Sequence, residues 1–265
     1  MIFQREWKRN LKSLIIWSLV LAGLIIWLLS IFPQFAKEQA NMQQLLKAYP
    51  ESMRNAFGMN QLDFGTLIGF YGVEIHMMTT LLGSIYAALL GSNIVAKEES
   101  EKTIEFLLSK PVSRTSIILQ KYLAVIMNVF LINAISVLAS VIGFQFGESP
   151  NIPWNTYFLL ALGTFLLHLT FASLSFLLSS IMRKTKNTLS ISLGIVLVTY
   201  FFNIMAGISK NLENLKYVSP FKYVDAATIV PDKALDPLYV GIMIFVIIIS
   251  IAFSFMIYRR KDITV

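Results

Sequence analysis

Polar side chains recur at helical spacing inside several long apolar runs of this chain. Asn133, Ser136 and Ser140 fall on one face of a helix, and Thr199 and Asn203 share a face in a later run. Side chains three or four residues apart on a helix are neighbours. Such weakly polar faces either join helices through hydrogen bonds or line a path for a bound molecule.

One ionisable residue also lies in an apolar run. Glu74 falls in the segment FYGVEIHMM, near one end of a run of 29 residues from Leu67 to Val95. Carboxylates within a membrane are functional candidates, so Glu74 is a candidate for the same path. Because the run is longer than a bilayer requires, Glu74 can instead lie among the lipid head groups.

Recognisable catalytic patterns are missing from the sequence. It contains two histidines, His76 and His168, in different apolar runs, and no cysteine. It has neither the glycine-rich phosphate loop of nucleotide hydrolases nor the H-E-x-x-H zinc motif. It also lacks the G-x-S-x-G turn that carries a nucleophilic serine. We therefore expect no catalytic residue, no metal site and no cofactor in this chain.

The elements that would carry these residues are membrane-spanning helices. Hydrophobic residues make up 56% of the chain and charged residues 14%, with a mean hydropathy of +0.67. A soluble domain carries about 25% charged residues. The sequence predicts one all-α membrane domain over residues 1–265 with six spans, each long enough to cross a bilayer. The predicted spans are 13–32, 72–95, 117–145, 156–181, 188–208 and 238–258.

Lysine and arginine are distributed unequally between the two sets of connections. Of these residues, 15 lie in the termini and the connections after spans two and four, and 7 lie in the other connections. Basic residues close to spans favour the cytoplasmic side. Both termini are therefore predicted to be cytoplasmic. The net charge of +7 is explained by acidic lipid rather than by nucleic acid.

Two further patterns concern how helices pack. Phe3, Trp7, Leu11 and Ile15 lie four apart among basic residues, which predicts an amphipathic helix on the inner membrane surface before the first span. Small residues also recur four apart in span two, where they allow close approach of another helix. This set, Gly83, Ala87 and Gly91, indicates packing within the chain or a seam between two copies.

The segment KEESEKTIEFLLSKPVSR, Lys97 to Arg114, separates spans two and three and is highly charged. Lys97 and Glu101, like Glu98 and Lys102, are spaced for i,i+4 ion pairs on an exposed helix. Pro111 ends this predicted helix, which covers about 97–110, and Ser113 can cap the next one. A short helix with acids on one side and leucines on the other is suited to docking a soluble partner; the alternative is a solvated connector.

This segment resembles the loop between spans two and three of ABC type-2 permeases, E-x-x-x-G-T-x-E-x-L-L-x-x-P-[VIL]-S-R. The matching positions are Glu98 or Glu99, Thr103, Glu105, Leu107, Leu108, Pro111, Ser113 and Arg114, with Lys121 matching a lysine that opens span three. SPFKYVDA before the last span resembles the S-P-F-x-Y motif of the same family. YPESMRNAFG in the first outer loop resembles a segment of the bacitracin-resistance and β-exotoxin type of these permeases. Lys102 departs from the pattern, where glycine is usual, and predicts a more continuous helix.

The resemblance implies a type V exporter fold with a cytoplasmic coupling helix and short re-entrant outer helices before span six. It implies a separate ATPase subunit, carrying ATP and magnesium, which contacts the coupling helix. The implied contact residues are Glu98, Glu99, Glu101, Thr103, Glu105, Leu107, Leu108, Pro111 and Arg114. It also implies a second permease, identical or homologous, so that two permeases pair with two ATPases in a bacterial plasma membrane.

The cargo follows only from the chemistry of the spans. Their polar faces are small and hydroxylated, and the chain has 20 Phe and 11 Met, which suit adaptable apolar surfaces. This favours outward movement of an amphipathic or hydrophobic molecule, such as a peptide, a peptide antibiotic or a lipid-like compound. Two alternatives remain: export of an ion such as sodium, and a six-span membrane scaffold without transport.

Overall fold

A computed structural model of the protein describes residues 2–37, 48–104, 112–147 and 152–261, and these contain helices and turns but no strand. In chain order the α-helical elements are α1 (Ile2–Lys37), α2 (Glu51–Ala56), α3 (Leu67–Ile94), α4 (Ala96–Ser100), α5 (Arg114–Gly143), α6 (Trp154–Ile181), α7 (Thr185–Ile208), α8 (Ala226–Asp232) and α9 (Pro237–Arg260). A π-helical segment, Tyr71–His76, lies within α3, and 3₁₀ turns cover Phe144–Phe146, Lys210–Tyr217 and Lys222–Val224.

The six long helices, α1, α3, α5, α6, α7 and α9, are each long and apolar enough to cross a membrane. They confirm the predicted all-α architecture with six spans. Each helix begins before the run predicted from hydropathy, whereas α3 ends at Ile94 and α5 at Gly143, one and two residues before the predicted limits. The short helices before α9 lie where the sequence indicated turns with one helical piece.

The N-terminal segment differs from the prediction of a separate surface helix. It is the first part of α1, which continues from Ile2 to Lys37 without a break. Residues 2–22 contain neither glycine nor proline, so nothing in this stretch favours a turn. Ile2 and Glu6 face the protein interior. Burial of Glu6 requires a charged partner, which the charged loop after α3 supplies.

Side-chain caps define the beginnings of four helices. At the start of α3, the Thr66 hydroxyl accepts a hydrogen bond from the Gly69 amide at 3.1 Å. Ser113 accepts a hydrogen bond from the Ser116 amide at 3.2 Å, as predicted for the start of α5. The carboxylates of Asp225 and Asp236 accept amide hydrogen bonds at the beginnings of α8 and α9. Each cap satisfies an amide that has no partner within the helix.

The spans pack in pairs, α3 against α6, α1 against α5, and α6 against α9, while α7 is the least buried. Their ends form two faces. We call the first the basic face; it consists of residues 2–12, 96–104, 182–187 and 259–261. The second, the loop face, consists of residues 48–66, 144–147, 152–154 and 208–237.

Candidate functional site

Four buried charges meet on the basic face, where α1, α4 and α5 converge. Glu6 and Lys121 are 0% exposed, and Lys97 and Glu98 are 1% exposed. The Lys121 ammonium lies 2.8 Å from Glu6 Oε1 and 3.0 Å from Glu98 Oε1, and Lys97 Nζ lies 2.5 Å from Glu6 Oε2. Arg5 pairs with Glu98 from the side nearer to water. We call these five residues the charge cluster.

Every donor of the Lys121 ammonium is used. Besides its two carboxylate partners, Lys121 donates to the Ile94 carbonyl at 2.7 Å, at the end of α3. An ammonium has three donors, and a cation beside the last carbonyls of a helix is favourably placed. Buried charges are tolerated when they are both paired and hydrogen-bonded. The cluster therefore fixes α4 to α1, α3 and α5.

The cluster keeps the Glu98 carboxylate charged. Burial by itself would raise the pKa of Glu98, but the charge of Lys121, the Thr103 hydroxyl at 2.6 Å and Arg5 together hold this pKa below its usual value. Burial lowers the pKa of Lys97, and the nearby Glu6 carboxylate opposes that shift. Charge pairing at this site thus works against desolvation.

Helix α4 is followed by a residue in the left-handed backbone conformation, whereas the sequence predicted a continuous helix. Lys102 has a φ of 56°. Thr103 N–H donates to Glu98 O at 2.9 Å, and Lys102 N–H donates to Glu99 O at 3.2 Å, the two bonds of a Schellman motif. Lysine therefore adopts the backbone conformation that glycine usually adopts at this position. Within the stretch of about 97–110 that was predicted as one helix, α4 ends at Ser100, residues 101–103 are not helical, and Ile104 is helical again.

The predicted ion pairs within this helix are also replaced. Lys97 pairs with Glu6 rather than Glu101, and Glu101 pairs with Arg9 at 2.5 Å. The reason is geometric, because α4 has five residues and lies against α1, whose oppositely charged side chains, Glu6 and Arg9, are closer. The i,i+4 spacing identified residues that form ion pairs, but it did not identify the residues with which they pair.

Residues expected to contact a partner differ in their surroundings. Glu98 is buried, and Glu99 lies 2.6 Å from Lys261 Nζ. Thr103 bonds to Glu98, and Arg114 donates to the Lys261 carbonyl at 2.7 Å beyond the end of α9. Of the acids at 98, 99 and 101, Glu101 alone is exposed. The predicted contacts Glu105, Leu107, Leu108 and Pro111 lie outside the described residues.

Sequence reasoning missed Glu6 as a member of this site. It is the only acid in the first twelve residues, between Arg5 and Lys8. The signal for Glu6 in the sequence was a single acidic residue within a basic segment. The basic residues around it instead favoured a prediction of contacts with lipid head groups.

The small residues of α3 form a seam within the chain. Gly83, Ala87 and Gly91 are buried, and a Cβ on Gly91 would lie 2.4 Å from the Ala172 carbonyl oxygen in α6. A Cβ on Gly83 would lie 2.1 Å from the His168 ring. Glycine at these positions permits the close approach of α3 and α6. Of the two alternatives, packing within the chain is confirmed.

A small cavity of about 20 Å³ lies between α3, α5 and α6. Asn133 and Ser136 both line it, as does the buried ring of His168. Asn133 Nδ2 donates to the Val129 carbonyl at 2.7 Å and Ser136 Oγ to the Ile132 carbonyl at 2.9 Å, so both donors are used within α5. The ring nitrogens of His168 have no well-placed partner among the described residues. The structure thus brings two predicted path residues together beside a histidine.

The other predicted path residues lie elsewhere. Asn203 lines a larger pocket on the loop face, with a volume of about 550 Å³, and also a narrow cleft beneath it. Ser140 and Thr199 donate to carbonyls four residues earlier, at 2.9 and 2.7 Å, and line neither of these spaces nor the small cavity. Glu74 is half-buried in the π-helical segment of α3, also outside these linings. The six predicted path residues therefore do not line any one of these spaces together.

The sequence profile described as "ABC-2 family transporter protein" matches residues 1–263. A comparison with curated proteins found no match. The match covers nearly the whole chain, including the charge cluster, all six spans and both faces. The chain therefore belongs to the ABC-2 family, as the membrane-spanning component of an ABC transporter that works with an ATPase.

Proposed function

We propose that this chain is the permease subunit of an ATP-driven exporter, and that residues 97–114 receive the mechanical push of a separate ATPase. The observation that supports this is the charge cluster. It links α4 to the beginnings of α1 and α5, and the pair between Glu99 and Lys261 links α4 to the end of α9. A displacement of this segment would therefore move several spans together. ATP and magnesium would be held by the partner.

Docking is expected to depend on Leu107 and Leu108 more than on the acids. Burying a leucine contributes about 1.5–3 kcal/mol, whereas an exposed ion pair contributes about 0–1 kcal/mol. Leu107→Asp should release the ATPase from the purified complex, and Glu101→Ala should release much less, since Glu101 already pairs with Arg9. Copurification of the ATPase with each variant is the test. If Leu107→Asp retained both the ATPase and transport, the segment would be a connector.

The basic face is proposed to lie in the cytoplasm of a bacterial cell, with the protein in the plasma membrane. Its support is the uneven distribution of 15 basic residues against 7. The chain has no cysteine, so single cysteines can report sidedness. An impermeant maleimide should label Asn60→Cys and Asp232→Cys from outside, but not Ser100→Cys or Lys186→Cys; all four positions are exposed. Labelling of Ser100→Cys from outside would contradict the proposal.

We propose an assembly of two permeases and two ATPases. Since the seam of small residues in α3 is used by α6 of the same chain, the second permease would contact another face. Native mass spectrometry of the purified complex should give a mass of two copies of each chain. A complex with one permease would contradict this assembly.

The proposed cargo is an amphipathic or hydrophobic molecule, moved outward or out of the bilayer. Supporting this, the polar residues predicted along the spans are mostly uncharged amides and hydroxyls, namely Asn133, Ser136, Ser140, Thr199 and Asn203. No group of three potential metal ligands occurs among the described residues. The reconstituted complex should increase its ATPase rate with amphipathic peptides, and Asn133→Leu should reduce that response. Stimulation by sodium alone would favour the ion exporter instead.

A further inference from the structure

The loop-face pocket has the size of a ligand-binding site. Its volume of about 550 Å³ lies within the range of about 300–1,000 Å³ typical of such sites. It opens between α2, the C-terminal end of α7 and the segment 209–225. The lining residues that matter for its chemistry are Glu51, Asn203, Glu213, Lys216, Lys222 and Asp225.

The two cations of this pocket are already neutralised. Lys216 Nζ lies 2.5 Å from Glu213 Oε1, and Lys222 Nζ lies 2.5 Å from Asp225 Oδ2. Asp225 also caps α8 by accepting from the Ala227 amide at 3.0 Å, which holds this pair in place. An anionic ligand would have to compete with these carboxylates for both lysines.

Two acceptors that are unpaired among the described residues remain in the pocket, the Glu51 carboxylate and Asn203 Oδ1, beside the neutral side chains of Ser52, Asn55, Gln61 and Ser209. Glu51 is exposed at the pocket and forms no ion pair with any residue in the described part of the chain. Asn203 Oδ1 is buried and receives no hydrogen bond there. With three acids against two lysines, the lining has one excess negative charge. A ligand that donates hydrogen bonds and carries positive charge, as an ammonium does, satisfies these acceptors and offsets the excess charge.

One wall of the pocket is apolar and leads towards the membrane. It consists of Ala56, Ala206, Gly207 and Ile208, and Ile208 is 49% exposed on the surface of α7. A Cβ on Gly207 would lie 2.5 Å from the Ala56 Cα, so α2 is held closely against α7. A molecule with an ammonium in the pocket could thus place an apolar body along α7.

We propose that the loop-face pocket binds the primary ammonium group of an amphiphile, through Glu51 and Asn203. This deepens the proposed function, on which it rests, by giving the exported amphiphile a positive charge. The ammonium would donate to the Glu51 carboxylate and to Asn203 Oδ1, and the apolar portion would lie against Ala206 and Ile208.

The test uses the full-length permease alone in lipid nanodiscs, without an ATPase. The probe is a short fluorescent amphipathic peptide with blocked termini and a single lysine, compared with the same peptide carrying acetyl-lysine or glutamate. Empty nanodiscs correct for binding to lipid. The lysine peptide should bind most tightly, and Glu51→Gln should weaken its binding about fivefold, as expected for one partly exposed charge pair. Asn203→Asp should tighten it, because the substitution adds a negative charge.

Asp232→Asn is the matched control, because Asp232 is an exposed acid on the same face outside the pocket lining. It should leave binding unchanged. Tightest binding of the glutamate peptide would overturn the proposal and assign the pocket to anions held by Lys216 and Lys222. Equal binding of all three peptides would also overturn it. If Asn203→Asp fails to fold, Glu51→Gln decides, since Glu51 is exposed.

Failure of this proposal is distinguishable from failure of the proposed function. The binding measurement needs neither ATP nor a partner, whereas export is measured by peptide-stimulated ATPase activity of the complex. A complex stimulated by the acetyl-lysine peptide as strongly as by the lysine peptide would retain export and exclude the ammonium site.

Discussion

The basic face and the loop face use similar residues in opposite ways. On the basic face, Glu6, Glu98 and Lys121 satisfy one another away from water. On the loop face, Glu51 and Asn203 lie at a pocket with acceptors that no described residue satisfies. The first arrangement fixes helices relative to one another. The second leaves hydrogen-bonding capacity for another molecule.

Solvent accounts for this difference. A buried charge without a partner costs several kcal/mol, so the charge cluster has to be complete before its helices can pack. The loop-face pocket is open to water, which can satisfy Glu51 until a ligand replaces it. We therefore interpret the fully paired charge cluster as an element that transmits movement, and the partly paired loop-face pocket as an element that binds a ligand.

Replacing Lys121 should disrupt the charge cluster of the basic face, and we expect this substitution to have the largest effect on stability. Lys121→Met leaves Glu6 and Glu98 buried without their shared cation, and the free energy of unfolding should fall by about 3–5 kcal/mol. Thermal unfolding in detergent measures the loss. Lys12→Met, at an exposed position of α1, should change it by less than about 0.5 kcal/mol. Equal effects of the two substitutions would show that the cluster is not a mechanical element.

Gly91→Ala should disturb the seam that joins the two faces. The added Cβ would lie 2.4 Å from a backbone oxygen of α6, which cannot move without shifting the helix. We expect a loss of about 1–3 kcal/mol, the usual cost of overpacking. Gly194→Ala, where the Cβ would meet nothing within 4 Å, should be neutral or slightly stabilising. The same unfolding assay compares them, and an inverted order would contradict the seam.

Lys102→Gly should stabilise the protein at the basic face, where residue 102 has a positive φ. Glycine adopts positive φ without the cost that a Cβ imposes, about 1–2 kcal/mol for left-handed residues. Part of this gain is lost because glycine is more flexible in the unfolded chain. The expected gain is about 0.5–1 kcal/mol in the unfolding assay. Lys102→Ala removes the same charge but keeps a Cβ, so a gain there would assign the effect to charge.

Acid should weaken the charge cluster through Glu98, with the smallest effect. The folded-state pKa of Glu98 lies below its usual value of 4.5. Its contribution to stability is therefore complete above pH 4.5 and is lost as the pH falls through the folded-state pKa. The advantage of the wild type over Glu98→Gln should shrink between pH 7 and acid pH. Melting temperatures of both proteins test this, and a constant difference would contradict it.

The sequence was sufficient for the membrane fold because hydropathy and basic flanks act locally. Six spans follow from runs of apolar residues, and the cap at Ser113 follows from its position before α5. The seam at Gly83 and Gly91 could be identified by spacing, although spacing does not say which helix packs against it.

The partners of the charged residues could not be predicted, because they come from distant parts of the chain. Glu98 and Lys121 are 23 residues apart, and Lys121 and Glu6 are 115 apart. A local rule pairs Lys97 with Glu101, but tertiary packing brings Glu6 closer. The polar path stays a prediction. Ser140 and Thr199 donate their hydroxyls to carbonyls of their own helices, which periodicity cannot distinguish from facing a cavity.

Contacts from both sides of the sequence hold the short segment α4, and this constrains the order of biogenesis. Glu6, which is synthesised before α4, pairs with Lys97, while Lys261, which is synthesised after the six long helices, pairs with Glu99 and supplies the carbonyl that Arg114 binds. A nascent chain that ends before α9 lacks the second set of contacts. The segment therefore becomes fully fixed only after α9 has been synthesised. Protease resistance around Ser100 should appear in full-length chains but not in chains truncated after α7.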